Sequence, residues 1–378
     1  MNRYPDHLYI HWPFCSFKCH YCDFVAFEQH SEYQTSYHHA LLKEIAGFAQ
    51  QLPPQHPIKT IFLGGGTPSL YPLEWITELF ATLRKHFSFQ EIQEITIETN
   101  PADIDEEKLE RWHEIGITRL SIGVQSLNDD VLLKLNRRQR ASDVLRTMRI
   151  APKYFDNISV DLILGLPGVT TEEWLATIQL AVTWPIKHIS VYFLTIHEKT
   201  PLYFKVERGD VKLADDQSMV ELYEKTAQML EENGFEQYEI SNFARAGHVS
   251  THNQAYWNRR PYKGFGVGAA SFDGQRRSVN TNNLTTYLTE APHIPATQEI
   301  LTPEQEQLEL LMLGLRQKKG MALHRMVYFL SDCDVQSLQA NIDELKSAGL
   351  IEIENDRVML TRKGMALENE IVVRLLTL

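Results

Sequence analysis

Short runs of apolar, β-branched residues alternate with longer amphipathic stretches through the first two-thirds of the chain. Six runs read as strands: Leu8–Trp12, Thr60–Leu63, Ile95–Glu98, Arg119–Gly123, Ser159–Leu164 and His188–Phe193. Around them, residues 33–50, 72–86, 105–114, 141–152, 172–183 and 214–233 carry helical spacing. The strand runs are apolar without alternation, the pattern of strands buried on both faces of a parallel sheet. Such β/α alternation predicts an α/β fold. Six units fall short of a closed eightfold barrel, so the expectation is a partial, TIM-like (β/α)6 barrel.

The pattern changes after Gly234. EQYEISNFA reads as one extra strand, and a loop-rich stretch follows with THNQAYWNRRPYKGFGVGAASFDG. From Leu301 the texture shifts again. TPEQEQLELLMLGLRQ and VQSLQANIDELKSAGL have helical periodicity, IEIENDRVMLT reads as a hairpin turning at Asn355-Asp356, and RKGMALENEIVVRLL as a last helix. Three segments are expected: a partial barrel over 1–233, a β/loop extension over 234–300, and a winged-helix-like C-terminal module over 301–378 that serves packing or docking.

The formal net charge of −12 over 378 residues argues against nucleic-acid binding, which needs clustered Lys and Arg. No apolar run approaches the ~20 residues that span a bilayer. The start, MNRYPDHLYIHW, lacks the apolar core of a signal peptide. A cytoplasmic location with reduced thiols is the expectation.

Reduced thiols matter because three of the four cysteines crowd into HWPFCSFKCHYCDF, directly after the first strand. Cys15, Cys19 and Cys22 form a CxxxCxxC set. A zinc site would need a fourth ligand such as His11 or His20, and zinc sites usually come as two paired motifs. Cys333, far away in SDCDV, reads as a helix-start or core residue. Three thiolates suit three irons of a cubane and leave the fourth iron open.

Other motifs follow in order. Leu63-Gly64-Gly65-Gly66-Thr67-Pro68 closes the second strand; without a Lys it is no phosphate loop, yet its glycines let a ligand approach the backbone. Glu98 ends the third strand in ETNP, where it can accept hydrogen bonds from a ligand or cap a helix. Asp161 interrupts an apolar strand and needs a partner, either a ligand hydroxyl or Arg137. Gln125 follows the fourth strand, and Tyr9 lies six residues before Cys15.

The CxxxCxxC loop with these motifs resembles the radical S-adenosylmethionine (radical SAM) superfamily. The resemblance implies a four-iron four-sulfur cluster on Cys15, Cys19 and Cys22. It also implies SAM chelating the fourth iron and cleaved by a cluster electron to a 5′-deoxyadenosyl radical. Tyr9, Gly65, Gly66, Thr67, Glu98, Gln125, Arg137 and Asp161 would then line the SAM side.

The full set, YIHWPFC, LGGGTP, ETNP, SIGVQS, DLILGLPG, Tyr262-x-Gly264-x-Gly266-x-Gly268-Ala269 and the C-terminal module, resembles the HemN/HemW family over essentially the whole chain. One branch of that family, the oxygen-independent coproporphyrinogen III dehydrogenases, decarboxylates a porphyrinogen. The other, HemW, is a haem-binding chaperone. The dehydrogenases extend the cluster loop to CxxxCxxCxC, where this chain has Phe24, and carry an N-terminal extension; here fourteen residues precede Cys15.

His252-Asn253-Gln254-Ala255-Tyr256-Trp257 matches the HNxxYW motif tied to haem in HemW. The resemblance therefore implies a haem chaperone, with His252 as haem ligand and Tyr256 and Trp257 flanking it. Porphyrinogen decarboxylation is the alternative. Haem-accepting proteins, including respiratory-chain proteins, are the implied partners; transient membrane-surface contact and a homodimer are compatible with it. Two positions depart from the family pattern: Gln139 stands where His is usual, and His197 where an acid is.

Overall fold

The structure, a computed structural model, describes residues 4–326 and 332–376. Six strands form where the apolar runs lie: β1 (His7–Trp12), β2 (Thr60–Gly65), β3 (Glu94–Thr99), β4 (Arg119–Gln125), β5 (Asn157–Leu164) and β6 (His188–Phe193). Helices alternate with them: α1 (Gln34–Ala49), α2 (Leu73–His86), α3 (Glu106–Glu114), α4 (Ala141–Ile150), α5 (Thr171–Ala181) and α6 (Asp216–Glu232). Their ends follow local chemistry. Thr170 and Glu173 make a capping box on α5, and the Asp105 and Asp215 side chains accept backbone N–H bonds at the starts of α3 and α6.

The extension holds more structure than a loop-rich reading allows. EQYEISNFA is a hairpin, β7 (Glu236–Glu239) and β8 (Asn242–Ala244), rather than one strand. THNQAYW forms a helix, α7 (Thr251–Trp257), whose N-cap is Ser250 and whose first N–H groups bond Glu94 from β3. Strands β9 (Tyr262–Phe265), β10 (Ala270–Phe272), β11 (Arg276–Asn280) and β12 (Ala296–Ile300) follow.

All twelve strands join one open sheet in the order β7-β8-β6-β5-β4-β3-β2-β1-β9-β10-β11-β12. The stretch from β6 to β9 is parallel, so β9 contributes a seventh parallel strand beside β1, with Tyr262 opposite His7. The extension thus covers both edges of the sheet, one by the β7–β8 hairpin and one by β9–β12. It is fastened by buried Glu44 of α1, which accepts from Gly266 N at 2.9 Å, Asn280 Nδ2 at 2.9 Å and the Tyr287 hydroxyl at 2.7 Å.

In the C-terminal module, α8 (Pro303–Leu315) precedes a hairpin of Ile351–Glu354 and Arg357–Leu360. Its turn residues Asn355 and Asp356 both have positive φ, 49° and 61°, as a tight hairpin turn requires. A two-residue strand, Met321–Ala322, makes the wing three-stranded. The expected last helix is two, Arg362–Met365 and Glu368–Leu376. Cys333 lies in the backbone of the Asp332–Ser347 helix, and its side chain is outside the described residues. Among the described residues no helix is long and apolar enough to cross a membrane.

Candidate functional site

Two cavities lie side by side, sharing lining residues, the first of them at the C-terminal ends of the parallel strands. The first, of about 400 Å³, is lined by Cys15, Cys19, Cys22, Gly65, Gly66, Thr67, Glu98, Gln125, Arg137 and Asp161. Ten residues singled out along 150 positions of sequence therefore meet in one place. Tyr9 does not join them; it lines the second cavity.

The loop carrying the thiols is fixed from several sides. Gly66 N donates to Trp12 O at 2.8 Å and Thr67 N to Phe14 O at 3.1 Å, binding the glycine loop to the cysteine loop. A Cβ at Gly66 would meet the Pro13 carbonyl at 2.7 Å and Cys15 Sγ at 3.0 Å, so only glycine allows this approach. His20 N donates to Leu135 O at 2.9 Å, and Asn136 Nδ2 donates to Lys18 O at 2.9 Å from a backbone at φ 57°.

Each thiol meets different neighbours. The Thr67 hydroxyl donates to Cys15 Sγ at 3.3 Å, and the Arg137 guanidinium reaches Cys19 Sγ at 3.8 Å. Burial pushes Cys15 up to about 11 and raises Cys22, so both stay protonated until a cationic partner makes them thiolates. Among the described residues no three His, Cys, Asp or Glu side chains converge as a single-ion site requires.

Arg137 is the hub of this cavity. Its Nη2 donates to Asn100 Oδ1 at 2.8 Å, Nη1 to the Tyr21 hydroxyl at 3.3 Å, and Nε to Gln139 Oε1 at 2.8 Å. Gln139 in turn donates to Val124 O, which explains the departure from His: a fixed amide supplies the acceptor that holds the guanidinium. His197, the other departure, sits 3.2 Å from Asp23 of the cysteine loop. An acid there would face Asp23 as a like charge.

Two half-buried carboxylates, Glu98 and Asp161, line the same cavity. Glu98 accepts from Gly65 N at 3.2 Å, yet burial, and then the Asp161 carboxylate, raise it to about 8. Asp161 is raised by burial and eased by the Ser190 and Ser121 hydroxyls, Ser121 Oγ donating at 3.0 Å. Its hydrogen-bond partners are these two serines; Arg137 acts on it only through its field. Sequence reasoning missed Ser121, Asn100 and Tyr192, which also line the cavity; a polar residue within or directly after an otherwise apolar strand was the signal.

The second cavity, of about 570 Å³, shares Asp23, Phe24, Gly65 and Glu98 with the first. Its walls include Tyr9, His11, Tyr256, Trp257, Tyr262 and Phe272, with Arg259, Arg277 and Glu309 at one side. Tyr256 and Trp257 are therefore cavity residues. His252 is not. It is 0% exposed, with Nδ1 bonded to the Thr60 hydroxyl at 2.7 Å, Nε2 to the Tyr256 hydroxyl at 2.8 Å, and its ring stacked on Phe62. Burial, with His7 nearby, lowers it to about 3, so it is held neutral and presents no free nitrogen to a ligand. The helical turn of α7 puts His252 and Tyr256 on one face, which a loop would not have done.

A family model described as the radical SAM superfamily matches residues 9–181, and one described as the HemN C-terminal domain matches 301–367. The chain is 36% identical to the heme chaperone HemW of Bacillus subtilis over 369 residues, 96% of this chain and 97% of that one. It is 31% identical to the mitochondrial radical S-adenosyl methionine domain-containing protein 1 of Danio rerio, across 99% and 89%. Among solved structures, the coproporphyrinogen III oxidase HemN from Escherichia coli, described as a radical SAM enzyme, matches with a TM-score of 0.84 over 100% of this chain and 92% of that one. At 24% identity that likeness concerns the fold alone.

Proposed function

The chain belongs to the HemN/HemW family of the radical SAM superfamily, and on that premise we propose that it is a haem chaperone of the HemW type. It binds haem in the aromatic cavity, beside a SAM-ligated four-iron cluster, and passes haem to acceptor proteins. The observation that carries this reading is the second cavity: a large aromatic chamber adjoining the thiol cavity, within the range of small-molecule sites. Phe24 supports it. It is 60% exposed, lines both cavities, and stands where the decarboxylating branch has a further cysteine.

In this reading Cys15, Cys19 and Cys22 would hold the cluster, and the residues present fit one: three thiols of one loop lining a single cavity, and a glycine loop with no room for a Cβ at Gly66. When bound, the cluster supplies single-electron reducing power beside SAM. The chain's own residues do the rest. Glu98 and Asp161 offer carboxylates to the cationic and hydroxyl-bearing parts of SAM. Gly65, Gly66 and Thr67 let its methionyl end approach the backbone. Gln125, at φ 64°, and Arg137 fix the far wall. Tyr9 tethers His11 between the cavities, and His252 holds Tyr256 in place instead of meeting iron itself.

The division into a barrel over 1–233, an extension over 234–300 and a docking module over 301–378 belongs to the same proposal. The test is anaerobic incubation of the cluster-loaded chain with SAM, reductant and either haem or coproporphyrinogen. Retained haem with no loss of carbon dioxide by mass spectrometry is expected; protoporphyrinogen formation at a useful rate would overturn the reading in favour of the dehydrogenase.

A further inference from the structure

Three tyrosines line the aromatic cavity, and their hydroxyls are not equivalent. The Tyr9 hydroxyl is bound to His11 Nδ1 at 2.9 Å, and the Tyr256 hydroxyl to His252 Nε2 at 2.8 Å. The Tyr262 hydroxyl has no hydrogen-bond partner among the described residues, and it is not one of the polar atoms sealed from solvent. We propose that Tyr262 ligates ferric haem iron in this cavity through its phenolate oxygen, with Arg277 as the positioning cation. The inference rests on the haem reading above and assigns its iron ligand.

Elimination supports it. Every histidine near the cavity has both ring nitrogens occupied. His252 is held by Thr60 and Tyr256. In His11, Nε2 donates to Val25 O at 2.8 Å, which leaves Nδ1 to accept from Tyr9. His7 pairs with Thr60 and with Asp6. Each would have to break a buried hydrogen bond to reach iron, at a cost of about 1–3 kcal/mol. Among the described residues no cysteine lines this cavity.

Position and charge support it as well. Tyr262 opens β9, opposite His7 of β1, and its ring is met edge-on by Tyr256 at 4.6 Å and by the tilted ring of Phe272 at 6.4 Å. A ligand on a strand, braced by two rings, is held to one direction. The charges that act on its phenol, Arg277 and Glu309, line the same cavity. Burial raises the phenol, Arg277 opposes that rise, and Glu309 is paired to Arg277 and lies 3.2 Å from Arg259. On coordination the O–H bond breaks, an Fe(III)–O bond forms and the proton leaves to solvent; iron stays ferric and no electron moves. Tyrosine is an established haem ligand type.

The test is titration of the full, cluster-loaded chain with hemin under anaerobic conditions, read by resonance Raman and EPR. The wild-type chain should show iron-phenolate vibrations from a high-spin ferric haem. Tyr262→Phe should lose them and bind hemin weaker by at least the roughly tenfold that loss of even a supporting group costs a metal site. Its thermal midpoint without hemin should match wild type, because the lost hydroxyl has no partner. His252→Gln should keep the vibrations while melting earlier. A wild-type spectrum from Tyr262→Phe, or an imidazole-ligated haem in the wild-type chain, overturns this assignment and leaves the haem reading standing. A wild-type chain that retains no hemin overturns both.

Discussion

The two cavities are neighbours with opposite construction. The thiol cavity is assembled from the ends of consecutive strands β1 to β6, each motif following its own strand. The aromatic cavity is assembled from β1, α7, β9, β10, β11 and α8, segments separated by as much as three hundred positions. Their electrostatics are opposed too. Burial leaves protonated thiols and two raised carboxylates around the first, a site completed by cations. Around the second, burial holds His11 at about 4 and His252 at about 3, neutral and hydrogen-bonded. The first cavity is unfinished in charge, whereas the histidines beside the second are neutral with both ring nitrogens bonded.

The sharpest way to break the comparison is to remove a thiol. Cys19→Ala should leave the chain unable to hold a cluster, with iron and sulfide falling close to zero after anaerobic reconstitution. Hemin binding should persist, because among the described residues no thiol lines the aromatic cavity. Hemin binding lost together with iron would show that the two cavities are one site.

His252→Ala should instead act on stability. It strips partners from Thr60 and Tyr256 and opens a space beside Phe62, so a loss of about 2–4 kcal/mol is expected in denaturant unfolding. Cluster content of the folded fraction should stay at the wild-type level. A variant as stable as wild type that has lost hemin alone would return His252 to the role of iron ligand.

Gly66→Ala is smaller and confined to the thiol side. The added methyl must push Pro13 or Cys15 aside, which costs about 1–3 kcal/mol and should weaken SAM binding by about tenfold or more in calorimetry. Unchanged SAM affinity would mean that the glycine loop is not where SAM approaches.

These contrasts also mark what the sequence could disclose. The six strands of the barrel were legible because each is a continuous apolar run, and Asn355-Asp356 because a two-residue turn of such residues has few other uses. The thiol cavity was legible for the same reason: Gly66, Glu98 and Gln125 sit at or near strand ends and Asp161 interrupts β5, so placing the strands placed the residues. The aromatic cavity was not. THNQAYW is too short for helical periodicity to declare itself, and its helix is secured by Glu94, 157 positions away in sequence. Nothing local announces that β9 pairs with β1, or that His252 turns inward while Tyr256 and Trp257 face the cavity.

The most specific effect comes from the sign of the pKa shifts. His252 and His11 are depressed in the folded chain, so below about pH 6.5 the unfolded chain takes up protons that the folded chain cannot. Their effect is that stability falls as pH drops from there, towards about 4 for His11 and about 3 for His252. Glu98 runs the other way. Raised from 4.5 to about 8, it keeps its proton when folded and loses it when unfolded, so across that window stability falls as pH rises. A cation placed beside Glu98 favours the carboxylate and expels that proton. SAM affinity should therefore rise with pH, by at most about tenfold per unit, up to about pH 8 and level off beyond it. Calorimetry in buffers of different ionisation enthalpy should register proton release on SAM binding at pH 7, and Glu98→Gln should abolish it. Hemin binding should show no such dependence on Glu98, although Glu98 lines both cavities. Proton release on SAM binding that survives Glu98→Gln would remove Glu98 from the SAM site and leave the two cavities divided by some other residue.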